Sequence, residues 1–146
     1  MAIADRETFR LLVNSWISAF NAHDVAAIVA LYAGDAELFD SGMKRPRTGH
    51  SEIKQWFSKR FQDMPSIRYE PLNLFFAEEQ AVVQWTASGR PSLLGQHWLT
   101  RPFRVEGVSI FTFRDGRIQK QRGYYDHYAA VAQAFPPLKW LLPPRL

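Results

Sequence analysis

Two aspartates in this 146-residue chain lie where a carboxylate could transfer protons. Asp126 follows two tyrosines at the end of a strand pattern, in the run from Gly123 to Tyr128. Asp40 ends a short apolar strand pattern, Ala36 to Phe39. A carboxylate in apolar, aromatic surroundings resists ionisation, and two that lie close together repel each other, so one can hold a proton while the other stays charged. The pair therefore predicts acid/base chemistry at neutral pH, with Asp40 as the base and Asp126 as the acid.

Each aspartate also has a purely structural explanation. Asp126 directly precedes a predicted terminal helix, His127 to Ala134, and could cap its first turn. Asp40 comes before Ser41 and Gly42, where a solvent-exposed turn residue is common. The catalytic interpretation requires both carboxylates to reach one cavity.

Other chemistries have little support. The chain has no cysteine, which excludes disulfides, a thiolate nucleophile and thiolate metal sites. Its four histidines show no compact ligand spacing, and it has neither a G-x-S-x-G motif nor a glycine-rich phosphate loop. We therefore expect no metal and no organic cofactor.

Charge and hydropathy limit the partners. The net charge is +4, and the run from Lys44 to Arg47 is basic, but the other basic residues are interspersed with acids, so we expect no nucleic acid. No apolar run approaches the roughly 20 residues that span a bilayer, so we expect no membrane association. The charged stretch from Met1 to Arg10 lacks the apolar core of a signal peptide, which predicts a cytoplasmic protein.

Three helices are predicted before the main sheet. The second is capped by Asp24 and includes Tyr32 on its buried face, and the third runs from Ser51 to Phe61. The first, which Asp5 can cap, carries an apolar stripe with steps of three and four: Phe9, Leu12, Val13, Trp16, Ile17 and Phe20.

The second half of the chain has the periodicity of strands. Four long strands are predicted, at Ile67 to Ala77, Ala81 to Gly89, Arg101 to Phe113 and Arg117 to Tyr125. The last two are joined by the tight turn Arg114-Asp115-Gly116-Arg117, so the sheet should be mostly antiparallel.

The composition fits one domain. With 47% hydrophobic and 14% aromatic residues, 146 residues can bury a single α+β core, and some rings should line a cavity or a subunit contact. We expect one domain over residues 1–146. Its apolar, proline-rich tail, residues 135–146, should pack over a pocket mouth or onto a partner subunit.

The order of elements and several motifs resemble the NTF2-like superfamily. The segment from Phe20 to Asp24, followed by the one from Ala30 to Ala36, is similar to the signature "N-A-x-D…a-L-Y-A-x-D-A". The hairpin from Phe113 to Ile118, with Tyr124 to Asp126, resembles the group of SnoaL-like polyketide cyclases, ketosteroid isomerases and limonene-epoxide hydrolases. The resemblance implies an α+β cone, with three N-terminal helices packed on a curved sheet. It also implies a homodimer through the outer sheet face and a small hydrophobic substrate or ligand.

The resemblance assigns roles to both aspartates. Asp40, with Gly49 nine positions later, resembles the base of the ketosteroid isomerases, but Trp16 and Ser109 replace the tyrosine and aspartate of their oxyanion hole. Asp126 resembles the general acid/base of the SnoaL-like cyclases.

Asp126 also resembles the second acid of the limonene-epoxide hydrolases. Trp85 and Ala87 occupy the positions of the arginine and first acid of those enzymes, so their triad is incomplete.

The expected function is cofactor-independent acid/base catalysis of the cyclase, isomerase or dehydratase kind on a polyketide, terpenoid or steroid-like molecule. One alternative is epoxide opening by water, and another is a non-catalytic binding or assembly module. Seven aromatic residues are predicted to contact the ligand, although ordinary core packing would explain each of them as well: Trp16, Tyr32, Trp56, Trp85, Phe103, Phe111 and Tyr124.

Overall fold

The helices of this protein pack against one six-stranded sheet. The computed structural model describes residues 3–141, and this part of the chain contains four α-helices, one 3₁₀ helix and six strands. The helices are α1 (Ile3–Asn21), α2 (Val25–Ala30), α3 (Gly49–Asp63), α4 (His127–Ala134) and the 3₁₀ helix Pro136–Trp140. The strands are β1 (Tyr32–Asp40), β2 (Arg47–Thr48), β3 (Arg68–Ala77), β4 (Gln80–Gly89), β5 (Phe103–Arg114) and β6 (Arg117–Tyr125).

The strands lie in the order β2-β1-β6-β5-β4-β3. Every neighbouring pair is antiparallel except β1 and β6, which run parallel. The predicted α+β class and mostly antiparallel sheet are thus confirmed. The expected three helices before the main sheet are present as α1 to α3, and α4 adds a fourth.

The predicted apolar stripe of α1 is confirmed by its burial. Val13, Trp16 and Phe20 are almost fully buried against the sheet. Phe9 stacks on Phe113 of β5, with ring centroids 4.4 Å apart. At the end of α1, the Asn21 side chain bonds both the backbone N–H and the carbonyl of Tyr69, at 2.8 and 2.9 Å, and so fixes β3 to this helix.

The second helix is shorter than predicted. Asp24 caps it as expected, since its Oδ1 accepts a hydrogen bond of 2.9 Å from the Ala27 N–H. However, Tyr32 does not belong to α2, because the chain is already in β1 at this point and Tyr32 is paired with Ile118 of β6. The Leu31 carbonyl accepts from the Ile118 N–H at 2.9 Å, so sheet pairing ends the helix before its local pattern does.

The hairpin between β5 and β6 forms as predicted. Asp115 and Gly116 both have positive φ, at 52° and 69°, which suits the twist of a two-residue hairpin turn. Pairing then continues from Arg114 opposite Arg117 to Gly107 opposite Tyr125. This hairpin brings the end of β6 to the start of α4.

The C-terminal tail is only partly described. Phe135 lies against the main cavity, whereas Trp140 and Leu141 are 91% and 80% exposed. Residues 142–146, which complete the predicted tail, lie outside the described residues. None of the helices in residues 3–141 has the length and hydropathy needed to cross a membrane.

Replacement of Phe113 tests the core. Phe113 is 2% exposed and is covered by Phe9, so Phe113→Ala should lower the free energy of unfolding by about 3–5 kcal/mol, because it removes a buried ring and leaves a cavity. Chemical denaturation measures this change. Phe75, 58% exposed on β3, is the matched control, and Phe75→Ala should change stability by less than about 1 kcal/mol. Equal losses in the two variants would contradict the assigned core.

Candidate active site

A cavity of about 200 Å³ lies between the inner face of the sheet and helices α1, α3 and α4. Its walls are mostly aromatic and aliphatic, as an apolar ligand requires. Four of the seven rings predicted to contact a ligand line it: Trp16, Trp56, Trp85 and Phe103. These rings form walls and leave the cavity open.

The other three rings do not line the cavity. Tyr32 and Phe111 are completely buried in the core behind its wall. Tyr124 is 43% exposed and packs beside Phe39, at 6.2 Å between ring centroids. Tyr32 and Phe111 are therefore explained by ordinary core packing, the alternative given for each predicted ring.

Strand alternation decides which residues at the end of β6 reach the cavity. Gln121, Gly123 and Tyr125 line it, whereas Tyr124 and Asp126 are exposed. Tyr124 and Asp126, which are both predicted to lie in the site, alternate with the residues that line the cavity. Each is therefore one residue away from a position on the cavity wall.

Asp126 caps α4. Its Oδ1 accepts a hydrogen bond of 2.8 Å from the Ala129 N–H, and it is not among the residues of the cavity wall. The structural explanation of this aspartate accounts for its position, and the structure does not bring the two aspartates to one cavity. The residue that follows Asp126 does reach the wall: His127, the first residue of α4.

Asp40 lies on the cavity wall, as predicted, with its side chain 20% exposed. Its Oδ1 accepts a hydrogen bond of 2.9 Å from the Gly42 N–H and lies 3.3 Å from His127 Nε2. Its Oδ2 lies 3.6 Å from Nη2 of Arg60, which comes from α3. Three different elements thus hold one carboxylate.

These neighbours determine the charge of Asp40. Burial alone would raise the pKa of its carboxyl, but the His127 hydrogen bond, the Arg60 charge and the Gly42 N–H together outweigh burial and hold the pKa below its usual value. Asp40 is consequently a carboxylate throughout the neutral range. Its charge is set by these neighbours and not by a second carboxylate, because Asp126 does not line the cavity.

Gly42 allows His127 to approach this carboxylate. A Cβ at position 42 would overlap the imidazole ring of His127. The imidazole also packs against Tyr125, with ring centroids 4.2 Å apart. The glycine thus has a steric role as well as donating its N–H to Asp40.

Tyr125 completes the cluster. Burial raises the pKa of its hydroxyl, and the phenol interacts with both Arg60 and Asp40. It is therefore a neutral donor beside a charged acceptor. The Arg60 guanidinium in turn lies over the Trp56 ring, 4.7 Å from its centroid, which positions the cation with little access to water.

Sequence reasoning missed Arg60, Tyr125 and His127. The period of two along β6 could have identified Tyr125, which follows Gln121 and Gly123 on the same face of the strand. His127 is the first residue of α4, so its approach to Asp40 depends on where that helix begins. Arg60 gave no such signal, because its role depends on how α3 packs against β1.

The described residues contain no group of three or more histidine, aspartate or glutamate side chains that could hold a metal ion. The basic segment Lys44 to Arg47 is partly engaged in contacts within the protein, because Arg45 forms two hydrogen bonds with Glu52 at 2.7 and 2.9 Å.

Comparison with known proteins identifies one family. A sequence model of the SnoaL-like domain matches residues 13–121, about three quarters of the chain. No curated protein sequence matches the chain.

Solved structures resemble this protein over most of its length. A candidate polyketide cyclase from Sinorhizobium meliloti is 26% identical, with a TM-score of 0.62, over 77% of this chain and 93% of its own. The epoxide hydrolase/cyclase-like enzyme SalBIII, of pyran ring formation in salinomycin, is 20% identical, with a TM-score of 0.75, over 86% of this chain and 95% of its own. A protein with a ketosteroid isomerase-like fold from Catenulispora acidiphila is 19% identical, with a TM-score of 0.75, over 84% and 91%.

Gly42→Ala tests the contact between Asp40 and His127. The new methyl group should push the imidazole away from the carboxylate, while the backbone N–H remains available to Asp40. A crystal structure of the variant, or the ¹H–¹⁵N correlation of the imidazole, measures the displacement. Gly34→Ala is the control, because a Cβ there meets no atom within 4 Å. An unmoved imidazole in Gly42→Ala would contradict the described packing.

Arg60→Met tests the electrostatics of Asp40. Removal of the guanidinium removes one of the attractions that lower the Asp40 pKa, so this pKa should rise. The stability that Asp40 adds is present above the pKa of an unfolded aspartate and is lost as pH falls through its lower folded-state pKa, so in the variant this contribution should be smaller and its loss should be complete at a higher pH. A ¹³C titration of the carboxyl measures the shift.

The matched control is Arg114→Met. Arg114 lowers the pKa of Asp35, which lies earlier in β1, so this variant should raise the Asp35 pKa and leave that of Asp40 unchanged. An Asp40 pKa that does not respond to Arg60→Met would show that burial and hydrogen bonds alone set its charge.

Proposed function

The chain belongs to the SnoaL-like domain family of the NTF2-like superfamily, and on this premise we propose that it is an enzyme whose carboxylate base, Asp40, acts on a small apolar molecule. The reaction class that fits is a cyclisation, isomerisation or dehydration without a cofactor. One observation carries the proposal: a charged carboxylate lies on the wall of a mostly apolar cavity. In a protein that only binds apolar ligands, such a charge does not increase affinity, because the carboxylate must be desolvated when the ligand enters.

The two oxygens of Asp40 have different surroundings. Oδ1 lies close to the Gly42 N–H and to His127 Nε2, whereas the contact of Oδ2 with Arg60 is longer. Oδ2 is therefore the atom that accepts a proton from the substrate. A bound apolar molecule displaces water from this carboxylate, which disfavours the charged form and makes Asp40 more basic than in the free protein.

His127 and Tyr125 complete the proton transfer that Asp40 begins. His127 is 40% exposed and touches Asp40, so it connects the buried carboxylate with solvent. Tyr125 is a neutral hydroxyl beside the same carboxylate and can protonate an oxygen of the substrate. These two residues take the role of acid that the sequence assigned to Asp126.

Epoxide opening by water is the second candidate. It requires an acid for the epoxide oxygen beside a base for the water, and Asp126 caps α4 instead of lining the cavity. The neutral Tyr125 hydroxyl next to Asp40 favours this reaction as an alternative, because it places a donor and an acceptor together.

Two matched variants test the proposal. Asp40→Asn removes the base and should lower turnover by about 10²–10⁴-fold, the usual contribution of a positioned acid or base. Asp126→Asn should leave turnover within a few-fold of the unmodified protein, since asparagine caps a helix as well as aspartate does. Turnover of polyketide-like ketones, steroid enones and epoxides is the measurement.

The outcomes separate the hypotheses. Turnover of ketones or enones that depends on Asp40 supports the cyclase or isomerase class, and turnover of epoxides alone supports the hydrolase. Undiminished turnover in Asp40→Asn would refute the proposed base. Binding of several compounds without turnover of any would support a non-catalytic ligand-binding protein.

A further inference from the structure

The loop between β4 and β5 holds apolar side chains away from the core. Polar contacts fix its ends: the Arg90 guanidinium donates to the Thr100 carbonyl at 2.7 and 3.1 Å, and Thr100 Oγ1 donates to the Pro91 carbonyl at 2.6 Å. The Ser92 N–H bonds the Asp63 carbonyl at the end of α3, at 2.7 Å. The loop thus has a defined shape, and its exposed side chains are held where they are.

The tip of this loop places a leucine in an unfavourable conformation. Leu93 and Gln96 pair through two backbone hydrogen bonds, at 3.0 and 2.8 Å, and Leu94 and Gly95 between them have positive φ, at 52° and 73°. Glycine and asparagine adopt this region more readily than leucine does. The Leu94 side chain is nevertheless 87% exposed, so packing within the chain does not compensate for its conformation. A leucine held in this way indicates a contact outside the chain.

The C-terminal segment extends the same surface. Trp98 of the loop and Trp140 of the 3₁₀ helix line one shallow groove together with Pro136 and Pro137, and both tryptophans are largely exposed. We call this surface the loop–tail face. It is formed by exposed apolar side chains of the two segments: Leu93, Leu94, Trp98, Leu138, Trp140 and Leu141.

The charge of these segments has one sign. Residues 90–105 and 135–146 contain five basic residues and none of the 14 aspartates and glutamates of the chain. Arg101 is exposed and forms no ion pair with any residue in the part of the chain that the structure describes. Acids that contact the loop from other elements are themselves paired with basic residues: Asp63 with Lys59 and Glu70 with Arg104. The loop–tail face therefore combines apolar side chains with positive charge.

A bilayer surface fits this combination better than a folded protein does. Exposed tryptophans are typical of membrane interfaces, where the ring contacts the acyl chains and the indole N–H contacts the headgroups. The core of a protein interface requires a partner of complementary shape, but the side chains here project from two separate segments. Fluid lipid adapts to such projections, and anionic headgroups attract the basic residues.

We propose that the loop–tail face binds the surface of a phospholipid bilayer that contains anionic lipids. Leu94, Trp98 and Trp140 insert among the headgroups, and Arg101 contacts lipid phosphate. The sequence expectation of no membrane association considered spanning segments, and binding at the surface requires none. Such binding is independent of the proposed reaction.

The cavity adjoins this face. Pro91 at the start of the loop and Phe135, which directly precedes the 3₁₀ helix, both line the cavity. Docking through the loop–tail face would therefore bring a phase that dissolves apolar molecules next to the cavity wall.

Vesicle binding tests the proposal. The full chain should bind phosphatidylcholine vesicles with about 30 mol% phosphatidylglycerol at least about tenfold more tightly than vesicles of phosphatidylcholine alone, because anionic headgroups attract the basic residues. Co-sedimentation measures both affinities, and added salt should weaken binding to the anionic vesicles. Absence of binding to the anionic vesicles, or equal binding to both kinds, would overturn the proposal.

A double variant assigns the apolar contribution to the loop. Leu94→Ser combined with Trp98→Ser should lower the affinity for the anionic vesicles by about tenfold or more, since binding strength follows the apolar area inserted. Leu72→Ser combined with Phe75→Ser is the matched control, because both residues are exposed on β3. The control should stay within about twofold of the unmodified protein, and circular dichroism verifies that both variants are folded. Equal losses in the two variants would refute the assigned face.

Arg101→Gln tests the role of charge. It should lower the affinity for the anionic vesicles about three- to fivefold, the effect of one basic residue at a membrane surface. Lys120→Gln removes the same charge from an exposed position on β6 and should have a smaller effect. Similar losses in the two variants would show that net charge alone attracts the protein to the vesicles, against the proposal.

Lipids with brominated acyl chains locate the tryptophans. Bromine quenches indole fluorescence at contact, so these lipids should quench the bound protein. Trp98→Phe combined with Trp140→Phe keeps two aromatic rings and should retain binding but lose most of the quenching. Undiminished quenching would show that other tryptophans face the lipid and would refute the docking geometry.

A second copy of the chain is the competing occupant of the face. Sedimentation velocity of the unmodified protein and of the variant with Leu94→Ser and Trp98→Ser distinguishes the two. We expect the same oligomeric state in both. A dimer that this variant dissociates would show that the face is covered by a second copy, and the proposal would fail.

Discussion

The parallel pairing of β1 with β6 is the constraint on which the candidate site depends. It places Asp40 opposite Gly123, and the Ser41 N–H continues the pairing with a bond of 2.9 Å to the Gly123 carbonyl. A carboxylate at the end of β1 is thereby carried to the place where β6 passes into α4. Arg60, Tyr125 and His127 then surround it from α3, β6 and α4. A shift of one residue in this pairing would turn Asp40 away from all three.

The cavity stays open because its tryptophans are held at both ends. Trp16 and Trp85 pack against other rings, and each also donates its indole N–H to a buried oxygen. Burial of the apolar surface keeps each ring inside the protein, and the hydrogen bond also fixes where the ring lies there. These two rings consequently form walls, where unanchored rings of the same size would be free to fill the space.

Much of the architecture could be predicted because it follows local periodicity. The stripe of α1, the turn at Asp115 and Gly116, and the position of Asp40 at the end of β1 were all readable from the sequence. Tyr32 was misassigned because pairing with β6 overrides the helical pattern of α2. Asp126 was placed in the site because a change of one residue along a strand reverses the direction of a side chain. Arg60 could not be found, since its contact with Asp40 depends on tertiary packing alone.

The candidate site depends on the short helix α4, which is less stable than the sheet. It has eight residues, its cap is Asp126, and its first residue is His127. A helix of this length is marginal by itself, and the bonds that fasten its far end, from Arg101 and Arg104 to Ala134 and Gln133, come from one neighbouring segment. Local opening of α4 therefore requires less free energy than unfolding of the sheet. Such opening would separate His127 from Asp40 while the strands that form most of the cavity wall are still paired.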